Sequence, residues 1–233
     1  MSARGKFIVL EGIDGSGKRT QLEMLARAFS QGAVPYEQVS FPNYSGFFGK
    51  LVARFLNGEF GSLDAVDPHF SALLYAEDRL ESKPALEAAL QSGKALLVDR
   101  YVASNLAHQG ARVAEGRRPE FLAWLRELEY QVNGLPVEDL VIYLRLPVED
   151  AHRLIGQKAA RDYTTQRRDL QEASRAHLTA AAEVYEELAR LPNWAKIECV
   201  NGVDGSLRTP ASIHGEILSV IAARISSPAL AAR

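Results

Sequence analysis

The chain has 233 residues, enough to bury a full core as one domain. A net charge of -2 with 47% hydrophobic and 24% charged residues excludes a global attraction to nucleic acid or to anionic membranes. The single cysteine, Cys199, cannot form an intramolecular disulfide, and the apolar run Phe7 to Leu10 is too short for a signal peptide or a membrane span, so we expect a cytoplasmic protein.

Short apolar runs alternate with longer amphipathic stretches, a pattern typical of parallel strands joined by crossover helices. The runs predicted as strands are 6–11, 36–41, 95–99, 140–144 and 196–200. The stretches predicted as helices are 18–31, 46–56, 68–91, 119–130, 148–160, 170–191 and 212–225. We therefore expect an α/β fold with a doubly wound, five-stranded parallel sheet flanked by helices, forming a single domain over residues 1–233.

A glycine-rich loop, Gly12-Ile13-Asp14-Gly15-Ser16-Gly17-Lys18, follows the first predicted strand and begins the first predicted helix. Glycines let successive backbone N–H groups converge on one anion, and the helix N-terminus adds partial positive charge. Lys18 stands where it can reach the β- and γ-phosphates of a nucleotide. The loop predicts a nucleoside triphosphate site; an ordinary glycine-rich strand-to-helix turn is the alternative.

The metal ligand expected next to this loop is missing from its usual place. Arg19 follows Lys18, where a Ser or Thr hydroxyl usually contacts magnesium, and Thr20 comes one residue later. Because Thr20 is one helical position further along, its hydroxyl points in a different direction from the usual metal ligand, and it is a better candidate for a phosphate contact than for a metal contact. Asp14 is the better candidate for holding Mg²⁺, directly or through water, and a loop-capping role is the alternative.

A second signature lies at the end of the third predicted strand, where Asp99 is followed by Arg100. Ligands bind at this carboxyl edge in open parallel sheets. Asp99 is placed to act as an acid that organises a metal or accepts a proton, and the planar guanidinium of Arg100 can bind a phosphate. A strand-end ion pair is the alternative.

Four segments in order along the chain together resemble thymidylate kinase: residues 12–18, Phe41-Pro42-Asn43-Tyr44, Tyr75-Ala76-Glu77-Asp78-Arg79 and Asp99-Arg100-Tyr101. The resemblance extends from the first strand to the terminal helix. It implies a P-loop NTPase-like fold and a nucleoside monophosphate kinase domain. Such a domain uses ATP and Mg²⁺ to phosphorylate thymidine 5'-monophosphate (dTMP) to the diphosphate, a step of dTTP synthesis.

The resemblance also implies an acceptor site. Tyr75 would stack on the thymine, and Arg79, one helical turn later, would hydrogen-bond a base oxygen. Core packing is the alternative for Tyr75. Arg100 would bind the monophosphate, and the side of the acceptor site next to it would be formed by a wall of three residues, Phe41, Pro42 and Tyr44.

Further positions match the neighbourhood of the acceptor phosphate and sugar. Ser104 and Asn105 correspond to such positions, and Asp99 stands beside them. His108 is a departure, because many family members have a tyrosine or phenylalanine there that disfavours a 2'-hydroxyl. The smaller imidazole implies weaker discrimination against ribose.

Positive charge is concentrated between residues 148 and 169, and the centre of this segment, 162–166, has no clear apolar period. We expect a mobile lid over about residues 153–169, whose arginines stabilise the transition state and exclude water. Solvated helix-face charges are the alternative. The basic residues are Arg153, Lys158, Arg161, Arg167 and Arg168.

Some thymidylate kinases carry a catalytic arginine in the P-loop and others place the basic residues in the lid. Gly15 at that loop position implies the lid-arginine type, with Arg161 and Lys158 on the phosphates. Glu172 resembles a glutamate that helps to organise magnesium or the bound nucleotide, and Asn201 matches the loop that borders the adenine.

The predicted site therefore has three groups of residues. The catalytic group is Lys18, Arg100, Arg161 and Asp14, and the metal group is Asp14, Asp99 and Glu172. The ATP group is Gly12, Asp14, Gly15, Ser16, Gly17, Lys18, Arg19, Thr20, Lys158 and Asn201.

Two other functions stay open at this point, and Arg19 and His108 also leave open an inactive homologue. One is a kinase for another nucleoside monophosphate or for a deoxynucleoside. The other is a nucleotide-gated binding module, against which stands the absence of an Asn-Lys-x-Asp guanine-reading motif. The resemblance also implies a homodimer packed through helices, and the apolar positions of 68–91 suit such a face.

Overall fold

The computed structural model describes residues 4–155 and 175–225. Its sheet is parallel, with strand order β2-β3-β1-β4-β5. The strands are β1 (Phe7–Glu11), β2 (Tyr36–Ser40), β3 (Ala95–Asp99), β4 (Leu140–Arg145) and β5 (Trp194–Glu198). The central strands β1, β3 and β4 are buried along nearly their whole length, which explains why they read as continuous apolar runs.

The α-helices of the described ranges flank this sheet. They are α1 (Lys18–Gln31), α2 (Phe47–Leu56), α3 (Pro68–Gln91), α4 (Val102–Gly110), α5 (Arg118–Arg126), α6 (Val148–Ile155), α7 (Arg175–Leu188) and α8 (Pro210–Arg224). A 3₁₀ turn at Glu115–Arg117 precedes α5, and a π-helical segment at Glu127–Val132 follows it. None of the helices within 4–155 and 175–225 has the length and apolar character needed to cross a membrane.

Local signals account for several helix starts. α3 begins at Pro68, and the Asp67 side chain accepts a hydrogen bond from the His69 N–H at 2.7 Å. α8 begins at Pro210, and the Thr209 side chain accepts from the Ser212 N–H. Proline at the first helical position after an oxygen-bearing cap is a strong start signal, because the cap satisfies a backbone N–H that the helix leaves open.

The predicted doubly wound parallel sheet is confirmed; β1, β2 and β4 each differ from the prediction by one residue at one end, and β5 differs at both ends. β5 begins at Trp194, two residues before the predicted start, because Trp194 pairs with Val141 of β4 and is buried. Val200, at the predicted end of this strand, instead forms an antiparallel bridge with Leu207.

Helix α4 was not predicted, because its N-terminus has no capping side chain of its own. The N-cap residue is Tyr101, which makes no side-chain cap hydrogen bond. The Glu11 carboxylate caps the helix instead, accepting from the Tyr101 N–H at 2.7 Å and the Ser104 N–H at 3.1 Å. A cap supplied from another strand leaves no signal in the local sequence.

The topology brings the two sequence signatures together. β1 lies between β3 and β4, and Leu10 of β1 is in register with Asp99 of β3. The loop after β1 and the residues after β3 therefore leave the same edge of the sheet side by side. The chain winds toward β2 and β3 on one side of β1 and toward β4 and β5 on the other, which is the arrangement that forms a ligand crevice.

A buried ion pair fastens α3 to the π-helical segment. Arg79 donates through Nε to Glu129 Oε2 at 3.0 Å and through Nη2 to Glu129 Oε1, and both side chains are almost completely buried. Asn105 of α4 donates to the same carboxylate at 2.9 Å. Glu129 thus joins three helical segments beneath the crevice.

We predict that Glu129→Gln destabilises the protein by about 3–5 kcal/mol, because it leaves the buried Arg79 guanidinium without a counter-charge. Urea unfolding followed by circular dichroism measures this loss. The matched control is Glu127→Gln, two residues earlier and exposed, which should change stability by less than about 0.5 kcal/mol. Equal stabilities of the two variants would contradict the structural role of the pair.

Candidate active site

The loop 12–18 has the backbone of a phosphate cradle. Gly12 has φ of 142° and Gly17, the N-cap of α1, has φ of 90°. No side chain caps α1, and its first turn carries no acidic residue, so the positive end of the helix faces the loop without a capping side-chain anion. A Cβ on Gly12 would lie 2.6 Å from the Leu144 carbonyl oxygen of β4, so no other residue fits there.

Lys18 lies across this loop. It is buried, and its ammonium group donates to the Gly12 carbonyl at 2.8 Å and the Ile13 carbonyl at 3.0 Å. Ser16, inside the loop, has a buried hydroxyl oxygen with no hydrogen-bond partner among the described residues. A buried hydroxyl in such a cradle is suited to an anionic ligand that supplies its missing partner.

Arg100 joins this loop to the acceptor side. Its φ is 66°, in the left-handed region, which is energetically unfavourable for any residue other than glycine. Nη2 donates to Asp14 at 2.7 Å, and Nη1 donates to Ser104 at 3.0 Å and to His108 at 3.3 Å. Burial lowers the pKa of Arg100, but Asp14, Tyr185, Asp99 and Glu11 together raise it well above its ordinary value, so the guanidinium stays charged. The two predicted signatures therefore meet at one cation.

The sequence reasoning missed Glu11, the completely buried last residue of β1. Its carboxylate accepts from the N–H groups of Tyr101 and Ser104, from the Ser104 hydroxyl at 2.7 Å and from the Tyr185 hydroxyl at 2.8 Å. Burial raises the pKa of Glu11, and these donors with Arg100 oppose the rise. The sequence does contain a signal for Glu11, since an acid directly before Gly12 ends an otherwise apolar strand. It contains no signal that Tyr185 on α7 belongs to the site.

The predicted wall, residues 41–44, is held by α3. The Phe41–Pro42 peptide bond is cis, and the Asn43 N–H donates to both oxygens of Asp78, at 3.0 and 3.2 Å. Burial raises the pKa of Asp78 to about 6. The ring of Phe41 lies 5.9 Å from that of Tyr101. This wall therefore takes its position from a carboxylate on the helix that also carries Tyr75.

Tyr44 and Tyr75 both pack against a second apolar cluster, formed by Val52, Phe55, Leu56, Val66 and Leu74. The rings of Phe55 and Tyr75 make an edge contact at 6.4 Å. Both tyrosines are only partly buried, so this packing holds their rings at the margin of the cluster. Their contacts with an acceptor remain predictions.

Two predicted acceptor residues, Arg79 and Asn105, share a buried partner, Glu129. Asn105 donates to the Ala72 carbonyl at 3.0 Å and to Glu129, and Arg79 donates to the same Glu129. One amide oxygen, Oδ1 of Asn105, is buried without a hydrogen-bond partner in the described part of the chain. Contacts of Arg79 and Asn105 with base, sugar or phosphate stay predictions.

Of the predicted metal residues, Asp14 and Asp99 lie within the described residues, and their role as magnesium ligands stays a prediction. Within residues 4–155 and 175–225, no group of three or more His, Cys, Asp or Glu side chains is arranged to hold a metal. Asp99 has a buried carboxylate oxygen, Oδ1, without a hydrogen-bond partner in the same ranges. Mg²⁺ commonly uses one or two carboxylates together with water and substrate phosphates.

The remaining predicted residues contribute little to this geometry. Arg19 is exposed and pairs with Glu23 at 3.1 Å, and Thr20 is exposed as well. Asn201 donates to the Ser206 hydroxyl at 2.8 Å. Arg153 pairs with Asp150 at the end of α6. The rest of the predicted lid and its partners, Lys158, Arg161, Arg167, Arg168 and Glu172, lie outside the described residues.

We predict that Gly12→Ala lowers kcat/KM for ATP by about 10- to 100-fold, because the added methyl group meets the Leu144 carbonyl and strains the loop by 1–3 kcal/mol. Steady-state kinetics with ATP varied measures the loss. Gly116→Ala is the matched control, since its Cβ would meet nothing within 4 Å. A Gly12→Ala enzyme as active as this control would contradict the cradle.

Comparison with known proteins agrees with this geometry. The sequence profile of the family described as thymidylate kinase matches residues 10–202. Thymidylate kinase of Mycobacterium tuberculosis is 32% identical over 199 residues, which are 85% of this chain and 92% of that protein. A probable thymidylate kinase of Pyrococcus horikoshii is 36% identical, with coverage of 85% and 93%. Human thymidylate kinase is 35% identical over 148 residues, 64% of each chain.

The fold has a solved counterpart. The structure of thymidylate kinase from Candida albicans, an enzyme described as having broad substrate specificity, superposes with a TM-score of 0.75. The match covers 96% of this chain and 93% of that chain at 22% identity, so it concerns the fold alone. With a profile that spans most of the sequence and relatives above 30% identity over nearly their full length, this chain belongs to the thymidylate kinase family.

Proposed function

We propose that the chain transfers the γ-phosphoryl group of ATP directly to the 5'-phosphate of dTMP, giving thymidine diphosphate and ADP, through the site at Lys18 and Arg100. Membership of the thymidylate kinase family indicates this ATP-dependent reaction and makes the chain a nucleoside monophosphate kinase. The observation that supports the assignment of the site is the Arg100 guanidinium. It lies between Asp14 of the phosphate loop and Ser104 of α4, where donor and acceptor phosphates would meet.

Positioning and charge neutralisation account for the proposed chemistry. A phosphate monoester oxygen is already a nucleophile near neutral pH, so no covalent enzyme intermediate is needed. Lys18 would release its loop carbonyls and bind the β- and γ-phosphates, and Arg100 would hold the acceptor phosphate in line. Both cations start from carbonyl or carboxylate partners, which keep them oriented before the substrates arrive.

When bound with ATP, Mg²⁺ would supply further neutralisation of the phosphate charge. We propose that Asp14 and Asp99 hold it, directly or through water. Supporting this are the orphaned carboxylate oxygen of Asp99 and the place of Asp14 inside the phosphate loop. Glu172 remains a candidate from the sequence alone.

The acceptor is tested by measuring ADP release in a coupled assay across dTMP, dUMP, dCMP, UMP and thymidine. We expect dTMP to have the highest kcat/KM. UMP is the informative rival, because His108 stands where a larger aromatic ring would disfavour a 2'-hydroxyl. Activity confined to UMP or to cytidine nucleotides would overturn the proposal.

We predict that Arg100→Ala raises KM for dTMP by about 100-fold, the scale of a lost charge-assisted pair with a phosphate. KM for ATP should change much less. Arg100→Lys should recover only part of the loss, because a single ammonium group cannot form the paired hydrogen bonds of a planar guanidinium. Initial rates with each substrate varied in turn give both constants. Arg117→Ala, at an exposed arginine, is the control. Near-normal dTMP kinetics in Arg100→Ala would refute the assignment.

We also propose that the chain forms a homodimer through α2 and α3. Large apolar side chains are exposed on both helices: Phe47 by 65%, Phe70 by 46% and Leu73 by 39%. Phe70 and Leu73 are one helical turn apart on α3, and exposed apolar residues of this kind favour burial against another surface.

We predict that light scattering coupled to size exclusion gives the wild-type chain twice its mass of 25.6 kDa. Phe70→Glu should shift this mass to the monomer, because a carboxylate placed in an apolar interface is costly to desolvate. Val203→Glu, at a fully exposed apolar residue in a loop, should stay dimeric. A monomeric wild-type chain would rule out the proposal.

A further inference from the structure

A pair of imidazoles lies behind Arg100. His108 of α4 and His177 of α7 are both buried, with ring centroids 5.5 Å apart, and His108 Nδ1 is 3.3 Å from His177 Nε2. The other ring nitrogen of His108, Nε2, is 3.3 Å from Nη1 of Arg100. The three side chains thus form a row from the guanidinium to the first turn of α7.

The guanidinium determines where the protons of this row lie. A guanidinium group has only donors, so Nε2 of His108 must accept the hydrogen bond from Arg100. A neutral His108 then carries its proton on Nδ1 and donates it to Nε2 of His177. His177 in turn carries its own proton on Nδ1. Each imidazole is therefore held in the Nδ1-protonated tautomer.

Both imidazoles stay neutral near neutral pH. Burial lowers the pKa of His108 well below its ordinary value, and the charge of Arg100 lowers it further. Burial likewise lowers the pKa of His177 to about 4, with a contribution from Arg112. Among the described residues, the other charged or titratable groups that act on the pair are Asp14, Lys18, Asp64 and Tyr185.

Three side chains from two segments, the phosphate loop and α4, fix the plane of the Arg100 guanidinium. Asp14 of the phosphate loop accepts from Nη2, Ser104 at the start of α4 accepts from Nη1, and His108 one helical turn later accepts from Nη1 as well. The Arg100 guanidinium sets the tautomer of His108, and without a hydrogen-bond acceptor for the resulting Nδ1–H the imidazole would lose the contact that fixes its ring orientation. That acceptor is His177.

We propose that His177 is a positioning residue for the acceptor-phosphate arginine: through His108 it orients the guanidinium of Arg100. This inference rests on the proposed role of Arg100 in binding the acceptor phosphate. His177 itself touches no reacting atom in this scheme. It acts through the imidazole of His108 and determines how the guanidinium of Arg100 is oriented toward the acceptor phosphate.

The test compares His177→Leu with His177→Gln in the full-length enzyme. Leucine fills a similar volume without an acceptor, whereas the glutamine side chain reaches as far as Nε2 and offers an amide oxygen to His108. We expect His177→Leu to raise KM for dTMP by about five- to tenfold, the effect of one neutral hydrogen bond. KM for ATP should stay within about twofold, and His177→Gln should restore most of the dTMP affinity. His214→Leu, at a partly buried histidine on α8, is the matched control.

A purely structural role would give a different result. Equal increases of KM for ATP and dTMP in His177→Leu, or failure of His177→Gln to restore the dTMP constant while its melting temperature is normal, would overturn the proposal. Unchanged kinetics in His177→Leu would overturn it as well.

Nitrogen-15 NMR of labelled histidines gives a readout independent of activity. Long-range ¹H–¹⁵N correlations should show both imidazoles neutral and protonated on Nδ1, and His108→Asn and His177→Gln variants assign the signals. The Nε2-protonated form of either residue would contradict the proposed hydrogen bonds from Arg100 to His108 and from His108 to His177. If the wild-type enzyme fails to phosphorylate dTMP while the Nδ1 tautomers are present, the proposed function fails and the hydrogen-bonded row stands. If dTMP is phosphorylated and the tautomers differ, the positioning role fails alone.

Discussion

The buried carboxylate of Glu11 is the interaction on which the rest of the site depends. It ends β1, caps the N-terminus of α4 and accepts a hydrogen bond from Tyr185 of α7. A carboxylate buried without donors would be costly, but here four donors surround it, two from backbone and two from hydroxyl groups. Because Glu11 directly precedes Gly12, the phosphate loop and the start of α4 cannot move independently.

That connection explains the conformation of Arg100. The residue lies between the end of β3 and the capped start of α4, and its backbone takes the left-handed region that a side chain disfavours. The surrounding contacts over-determine it: the Arg100 N–H donates to the Leu10 carbonyl of β1, and the guanidinium is held by side chains from the loop and from α4. Strain at this position thus orients the cation toward the shared edge of β1 and β3.

Charged and polar groups beneath the crevice are arranged in two separate sets. One set links Arg79, Asn105 and Glu129 and fastens α3 and α4 to the π-helical segment. The other runs from Asp14 through Arg100 to His108 and His177 and fastens α7 to the phosphate loop. Helix α4 belongs to both, through Asn105 and through Ser104 and His108. Buried polar sets of this kind specify one arrangement of helices, because a shift of any member leaves the others unsatisfied.

The sheet, most of the helices and the phosphate loop follow from the sequence alone, since each has a local cause: apolar runs, helical periodicity, Pro and Asp caps, and glycines before Lys18. The place of Asp99 and Arg100 at the ligand edge follows as well, because parallel strands end at one edge. The remaining features depend on tertiary contacts. Helix α4 is capped by an acid 90 residues earlier in the chain, Arg79 and Asn105 converge on Glu129, and His108 finds its partner 69 residues later. Such contacts join residues far apart in the chain, and local patterns carry no signal of them.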